Sequence, residues 1–311
     1  INENRVEDIR PCFRGHEGCI SLFFAGCPIR CEVNPQCGKE LDYKLEKTGN
    51  PRNVIVIGGG IAGMEAARLA AEMGHKVTLI EKTNKLGGHF IEASAPEFKK
   101  EAKGMLEWLI RQVNKNDIKI EFNIEASRET VSSYEPDVVI IAIGSKYRCH
   151  AHDGSSKAIL PDEALMYPEK TGNNVAVIGG GLIGSETALT LANHGKKVTI
   201  VEMLDDIALD HEPLSYTALK YQLEKAGVTI LTNRRVTKMT DEGIEGIDLN
   251  GNEFSLPADT IVSALGLKAR KKEAEAFYGI APQTFAIGDC VEARKVYHCF
   301  HEAWNAVFNI K

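Results

Sequence analysis

The chain has 311 residues, of which 43% are apolar and 26% charged, and it carries a formal net charge of −6. That length allows about two domains of roughly 150 residues each, and the composition suits an ordinary soluble globular protein. The acidic balance offers no basic stripe for nucleic acid, and no apolar run approaches the ~18 residues that a membrane span needs.

The first residues, INENRVEDIRPC, show no initiator Met, no charged n-region and no apolar h-region. No secretory signal is expected there, and the chain reads as the middle of something longer and cytoplasmic. The stretch PCFRGHEGCISLFFAGCPIRCEVNPQC then places five of the eight cysteines, Cys12, Cys19, Cys27, Cys31 and Cys37, within residues 11–37. Pro11, Pro28 and Pro35 interrupt it, and it has little periodicity. Without a secretion signal, clustered thiols favour metal or redox chemistry over structural disulfides. Residues 1–49 are therefore expected to form an irregular Cys-rich segment held by something other than a core of its own. Tetrahedral sulfur sites also suit zinc, although a finger's x2 or x4 spacing is absent. Reduced thiols without metal are the plain alternative.

Near Asn50 the character changes. VIVIGGGIAGMEAARLAAEMGHKVTLIEK (54–82) reads as an apolar strand, a glycine turn, an amphipathic helix and a second strand. VAVIGGGLIGSETALTLANHGKKVTIVEM (175–203) repeats that organisation, and the buried strand PDVVIIAIGS (136–145) has a counterpart in ADTIVSALGL (258–267). This is an internal duplication of a dinucleotide-binding unit, so an α/β fold with two Rossmann-like domains is predicted. In each G-x-G-x-x-G, the first glycine permits the tight turn, the second lets the backbone approach a pyrophosphate, and the third lets helix and strand pack closely. These are Gly58, Gly60 and Gly63 in the first copy and Gly179, Gly181 and Gly184 in the second. Free N–H groups and the dipole at the helix start favour phosphate. Glu81 and Glu202 end the second strands at the same offset and can accept hydrogen bonds from a ribose diol.

After Glu81, KTNKLGGHF supplies Gly87 and Gly88, which would let the chain pass close to a large ligand. Between the copies lies YRCHAHD, where Cys149, His150 and His152 are possible metal ligands in a connection between domains. Near the end, TFAIGDCVEARKVYHCFHEAWNAV reads as a strand ending at Gly288, then Asp289, then a helix about ten residues later. An acid at such a strand end can bind a ribityl hydroxyl, and the helix start can stabilise a reduced flavin; a turn or cap role is the bland alternative for Asp289. Trp108 and Trp304 fit packing positions, and Cys290 and Cys299 fit small buried hydrophobes.

The elements GGGIAG…EK…LGG, AIG and FAIGD resemble the two-dinucleotide-binding-domain flavoproteins. IRPCFRGHEGC…CEVNP joined to a double Rossmann unit further resembles the C-terminal half of the 2-enoate reductase, 2,4-dienoyl-CoA reductase and trimethylamine dehydrogenase group. The resemblance implies that the first unit binds FAD, through Gly58, Gly60, Ile61, Ala62, Gly63, Glu81, Lys82, Gly87, Gly88, Ala142, Gly144, Gly288 and Asp289. It implies that the second, inserted into the first, binds NAD(H) through Gly179, Gly181, Leu182, Ile183, Gly184, Glu202 and Gly266. Expected boundaries are 1–49 for the Cys-rich segment, 50–168 with 267–311 for the FAD domain, and 169–266 for the NAD domain. Glu186, on the helix after Gly184, matches a position near the nicotinamide–flavin contact in related flavoproteins; a solvated helix residue is the alternative.

The family's cluster pattern, C-x2-C-x3-C-x11-C for one [4Fe–4S] cluster, falls here on Cys12, position 15, Cys19 and Cys31. Position 15 is Gly15, which leaves Cys27, Cys37 or His16 as possible substitutes. Family members also carry a TIM barrel with FMN and the substrate site. Such a barrel needs about 250 residues, which this chain lacks. The barrel domain is thus the expected partner, with a homo-oligomer expected for the full-length protein and neither nucleic acid nor membrane as a partner. The expected activity is electron transfer from NADH through FAD and a cluster to FMN, which reduces an activated C=C bond. Glu202 and the following MLDDIALD, acidic and without Arg or Lys, favour NADH over NADPH. Two other classes stay open: a stand-alone NADH:acceptor oxidoreductase and a non-catalytic nucleotide-binding module. Residues 51–148 hold no Cys to serve as a disulfide-reductase pair, and Gly15 is the best support for the second.

Overall fold

The computed structural model describes residues 4–148, 155–209 and 211–311. Two compact units emerge: Ile1–Ser94 with Lys99–Lys146 and Lys268–Lys311, and Ala95–Phe98 with Tyr147–Leu267. The Cys-rich segment falls in the first unit and residues 147–168 in the second. Cys149, His150 and His152 lie outside the described residues. No described helix is long and apolar enough to cross a membrane.

The first unit is built on a five-stranded parallel sheet in the order Gln283–Ala286, Val138–Ile141, Asn53–Ile57, Lys76–Ile80, Ile118–Glu121. A parallel sheet is covered on both faces, so its strands are runs of apolar residues rather than alternations. NVIVI and VVII are such runs, and Val54–Val56 and Val138–Ile141 are fully buried. On one face, the helices Ile61–Glu72, Lys100–Lys115 and Val296–Phe308 pack Leu69, Leu109, Trp108, Phe300 and Trp304 against Val54 and Val56. On the other, Val131, Phe277 and Cys290 cover Ile55, Ile57 and Val139. Both tryptophans and both late cysteines are therefore core residues.

Among the described residues of the Cys-rich segment, helical structure is limited to a 3-10 turn, Val6–Asp8, and one short α-helix, Ile20–Phe24. The segment is held instead by docking onto the first unit. Val33 is buried in that unit's core, with Phe13, Cys31, Tyr43 and Leu45 packed against it, and Tyr43 stacks on Trp304 with ring centroids 5.4 Å apart. Arg10 reaches Glu65 on the helix Ile61–Glu72 at 2.9 Å and lies 4.6 Å above the Trp108 ring. Arg68 grips the same carboxylate through two bonds of 2.9 Å.

The second unit repeats the plan. Its parallel sheet runs Ala158–Ile159, Thr260–Ser263, Asn174–Ile178, Lys197–Val201, Thr229–Leu231. An antiparallel meander, Arg234–Thr240, Gly243–Asp248 and Glu253–Pro257, follows the last strand of the sheet. The predicted α/β class with two Rossmann-type units is thus the observed one.

Glu65 is fully buried. Burial alone would raise its pKa, but the Arg10 and Arg68 guanidiniums outweigh it and lower it from 4.5 to about 2. A depressed carboxylate stabilises the fold fully above its unfolded pKa and loses that contribution as pH falls through the folded one. At roughly 1.4 kcal/mol per pKa unit, the contribution is on the order of 3 kcal/mol. Urea midpoints of the wild type should therefore fall between pH 5 and pH 2 (about the span of the two pKa values). Glu65→Gln should unfold more easily at pH 7, by about 3–5 kcal/mol for breaking a buried pair, and should show a shallower acid slope. Parallel pH curves for the two proteins would assign the acid sensitivity elsewhere.

Candidate functional site

The first glycine turn follows the strand Asn53–Ile57, with Val138–Ile141 on one side and Lys76–Ile80 on the other. This is where the strand order reverses and ligands gather in open α/β sheets. Gly58 sits at φ +104°, and a Cβ there would meet the Ala142 carbonyl oxygen at 2.3 Å. A Cβ at Gly63 would lie 1.9 Å from the Gly58 carbonyl oxygen, whereas one at Gly60 would meet nothing within 4 Å. The turn is thus closed toward the protein and open toward a ligand. Gly60 caps the helix Ile61–Glu72 with no side chain, which leaves the first-turn N–H groups of Ile61, Ala62 and Gly63 for an anion. Gly87 bridges to Gly60, donating its N–H to the Gly59 carbonyl at 2.8 Å, and Gly88 passes so near that a Cβ would sit 3.2 Å from the Gly60 Cα.

Glu81 is only 7% exposed. Its Oε2 accepts the Gly59 N–H at 2.7 Å, and its Oε1 accepts the Thr83 N–H and hydroxyl at 2.8 Å each. An ionised carboxylate offers about four acceptor positions, so capacity remains for a diol. Lys82 beside it is exposed.

The neighbouring strand ends bring Ala142, Gly144, Gly288 and Asp289 to the same edge of the sheet. A Cβ at Gly288 would sit 2.9 Å from that of Ala62, which ties the late FAIGD turn to the first glycine helix. The half-buried Asp289 accepts the Ser145 hydroxyl at 3.1 Å and the Arg294 N–H at 3.2 Å. Burial pushes its pKa up; those two bonds, and the positive charges of His89 and Arg294, partly offset this. Four participants escaped the sequence reading. His89 contacts the Ser145 carbonyl at 3.1 Å, and Glu302 accepts the Gly288 N–H at 2.7 Å while pairing with Arg294. No local signal marks His89, Ser145, Arg294 and Glu302, because they converge from separate loops and a helix.

The second turn reproduces the first. A Cβ at Gly184 would lie 1.9 Å from the Gly179 carbonyl oxygen, one at Gly179 would lie 2.5 Å from that of Ala264, and Gly181 faces open space. Leu182 and Ile183 open the helix Leu182–Asn193, which also carries the half-buried Glu186. Gly266 ends the counterpart strand turn with open space beside it. Glu202 is 7% exposed, and its carboxylate accepts the Gly180 N–H at 2.5 Å and the Leu204 N–H at 2.8 Å.

The charge around Glu202 is more mixed than the local sequence implies. Asn233 and Arg234 run alongside, donating backbone N–H groups to the Leu204 and Glu202 carbonyls at 2.8 and 2.9 Å. Asp206 is neutralised by Lys220 at 2.9 Å and held by the Tyr216 hydroxyl.

In the Cys-rich segment all described cysteines are free thiols, with Cys12 and Cys27 exposed and Cys19, Cys31 and Cys37 half-buried. The Cys37 thiol is pushed up by burial and by Cys31, Glu40 and Cys19. The Cys12 sulfur accepts the Arg14 N–H at 3.4 Å. Among the described residues, no group of three or more His, Cys, Asp or Glu is arranged to hold a single metal ion. At position 15, a Cβ would lie 2.2 Å from Glu32 Oε2 and 2.4 Å from Phe13 Cζ. Glu32 is 6% exposed and its Oε2 has no hydrogen-bond partner. Burial and the nearby Glu17 carboxylate push its pKa up to about 7. Thiols are donors of the kind an iron–sulfur group takes, but the described residues do not gather them into a metal site.

Residues 52–306 match the pyridine nucleotide-disulphide oxidoreductase family. Over 98% of its length the chain is 36% identical to cinnamate reductase of Clostridium sporogenes, covering 46% of that protein. It is also 36% identical to the NADH oxidase of Thermoanaerobacter brockii, over 85% of this chain and 42% of the relative. A solved 2-naphthoyl-CoA reductase in complex with 2-naphthoyl-CoA superposes over the whole chain with a TM-score of 0.94 at 31% identity, and 48% of that protein is covered. The chain thus spans about half the length of the relatives it matches. Two glycine turns of one geometry and these likenesses lead to one conclusion: the chain belongs to the pyridine nucleotide-disulphide oxidoreductase family, as an oxidoreductase and flavoprotein whose relatives are enoate- and dienoyl-type reductases.

Proposed function

We propose that this chain is the NADH-dependent, FAD-carrying half of an enoate-reductase-type enzyme, and that it passes electrons through its Cys-rich segment to an FMN-bearing barrel domain that reduces an activated C=C bond. The observation that carries the reading is the duplicated turn. In each copy an open second glycine stands beside a buried glutamate whose carboxylate accepts the N–H of the residue just before that glycine, Gly59 or Gly180. Residues 50–94 and 99–146 with 268–311 form the proposed FAD domain, and 147–267, which include the strand Ala158–Ile159 of the second sheet, the proposed NAD domain. The full-length protein is proposed to be a homo-oligomer.

In the FAD role, the Ile61–Gly63 amides receive the pyrophosphate, Glu81 accepts from the ribose diol, and Asp289 accepts from the ribityl chain. Gly87 and Gly88 let the backbone pass close beside them. In the NAD role, the Leu182–Gly184 amides and Glu202 repeat the first two tasks, and Gly266 leaves room at the strand end. The flavin, when bound, supplies the conversion from two-electron to one-electron transfer. No side chain of this half has to exchange a proton with the enoate. The disulfide-reductase alternative lacks its dithiol: residues 51–148 contain no Cys, and Cys290 and Cys299 are buried core residues.

Anaerobic titration of the FAD-loaded chain should bleach the flavin faster with NADH than with NADPH. Glu202→Ala should shrink that preference by roughly 1–3 kcal/mol, the scale of a lost charge-assisted hydrogen bond. Faster reduction of the wild type by NADPH would defeat the charge argument. Paired glycine variants assign the two turns. Gly63→Ala forces a Cβ onto a backbone oxygen of the first turn and should abolish flavin retention. Gly184→Ala should retain flavin but lose reduction by NADH. The opposite pattern would place the flavin on the second turn.

A further inference from the structure

We propose that Arg294 and Glu302 are positioning residues for the flavin site: they close a ring of bonds around the Gly288–Asp289 turn and so place the Asp289 carboxylate for a ribityl hydroxyl. This rests on the FAD reading of the first unit given above and gives a role to two residues that act through Asp289. The ring runs Gly288–Asp289–Arg294–Glu302 and back. Glu302 stands on the helix Val296–Phe308, and its Oε2 accepts the Gly288 N–H at 2.7 Å. Its Oε1 pairs with the Arg294 guanidinium. The Arg294 backbone N–H donates to Asp289 Oδ1 at 3.2 Å, and the peptide bond from Gly288 to Asp289 completes the circuit. One arginine thus grips both ends. Its main chain holds the acid, and its side chain holds the helix residue that fixes the glycine.

The turn needs such a clamp. Gly288 sits at φ +67°, and a Cβ there would lie 2.9 Å from that of Ala62, in the first turn of the helix Ile61–Glu72. A slip of the turn therefore moves Asp289 relative to the amides that receive the pyrophosphate. From the strand side, the Ser145 hydroxyl holds Asp289 Oδ2 at 3.1 Å, and the His89 ring steadies Ser145 through its carbonyl at 3.1 Å. An ionised carboxylate offers about four acceptor positions; the Arg294 N–H and the Ser145 hydroxyl leave room for a ligand hydroxyl. Burial pushes the Asp289 carboxyl up, and those two bonds with the His89 and Arg294 charges pull it back toward the ionised acceptor. The Arg294 and Glu302 side chains are 26% and 27% exposed. An ion pair that reaches solvent adds little to overall stability, so the main effect of this one is to place the turn.

The test strips flavin from the full chain and titrates FAD back, read by flavin fluorescence, with circular dichroism of the flavin-free forms as the check of folding. Arg294→Met keeps the backbone N–H and the aliphatic bulk, and Glu302→Gln keeps an acceptor for Gly288 while giving up the charge. Each should weaken FAD binding roughly tenfold, the scale of one lost charge-assisted bond, and Asp289→Ala should weaken it at least as much. The double variants decide the matter. Because the pair acts through Asp289, adding Arg294→Met or Glu302→Gln to Asp289→Ala should cost under about twofold more, whereas independent contributions would multiply. Asp289→Asn takes the place of Asp289→Ala where the latter binds FAD too weakly to measure. Multiplying losses in the double variants, or single variants of Arg294 and Glu302 that bind FAD as wild type does, would overturn the positioning role and leave the FAD reading intact. A folded wild type that binds no FAD, or an Asp289→Ala form that binds it unchanged, would overturn the flavin reading of Asp289 and the positioning role with it.

Discussion

The fold turns on how closely a helix can approach the strand that feeds it. In each unit the carbonyl oxygen of the first glycine occupies the place where the third glycine's Cβ would be, 1.9 Å away. No residue with a side chain fits there without shifting backbone. The approach brings the helix start to the strand end, so its free amides face one small open volume at the switch point of the sheet. The buried glutamate completes the turn by accepting the N–H of Gly59 in the first unit and of Gly180 in the second. The same bond that stabilises the turn fixes where that acid stands beside the helix start.

That helix also organises the Cys-rich segment. Glu65 lies two residues beyond Gly63 on the helix Ile61–Glu72, and its buried carboxylate is shared by Arg10 and Arg68. Removing either charge from such a site leaves the other unpaired in low dielectric, which is why a buried pair is costly to break even where its net worth is modest. Together with the Tyr43–Trp304 stack and the seated Val33, the ion pair gives the segment a docked conformation. An irregular stretch with one short helix can thus order itself on a neighbouring core, and a metal group would add to that order rather than create it.

The electrostatics of the two glycine turns differ in surroundings more than in plan. Around the first, Asp289, Glu302, Arg294 and His89 form a bonded set at the strand ends. Around the second, Asp206 pairs with Lys220, and Asn233 and Arg234 donate backbone N–H groups to the strand end that carries Glu202.

By itself the sequence determined the class of fold, its duplication and the glycine and glutamate positions of both turns. These depend on local chemistry: apolar runs for doubly covered strands, glycines where backbone must touch backbone, and an acid at a constant offset from its turn. Only the tertiary structure brought His89, Ser145, Arg294 and Glu302 to the strand ends, set Arg234 beside Glu202, and buried Trp108 and Trp304 under the segment's arginine and tyrosine. It also put Glu32 into the space beside Gly15. Seventeen positions separate those two residues in the chain. Which side chain stands beside a distant glycine is decided by how two loops meet, and that is a property of packing rather than of pattern.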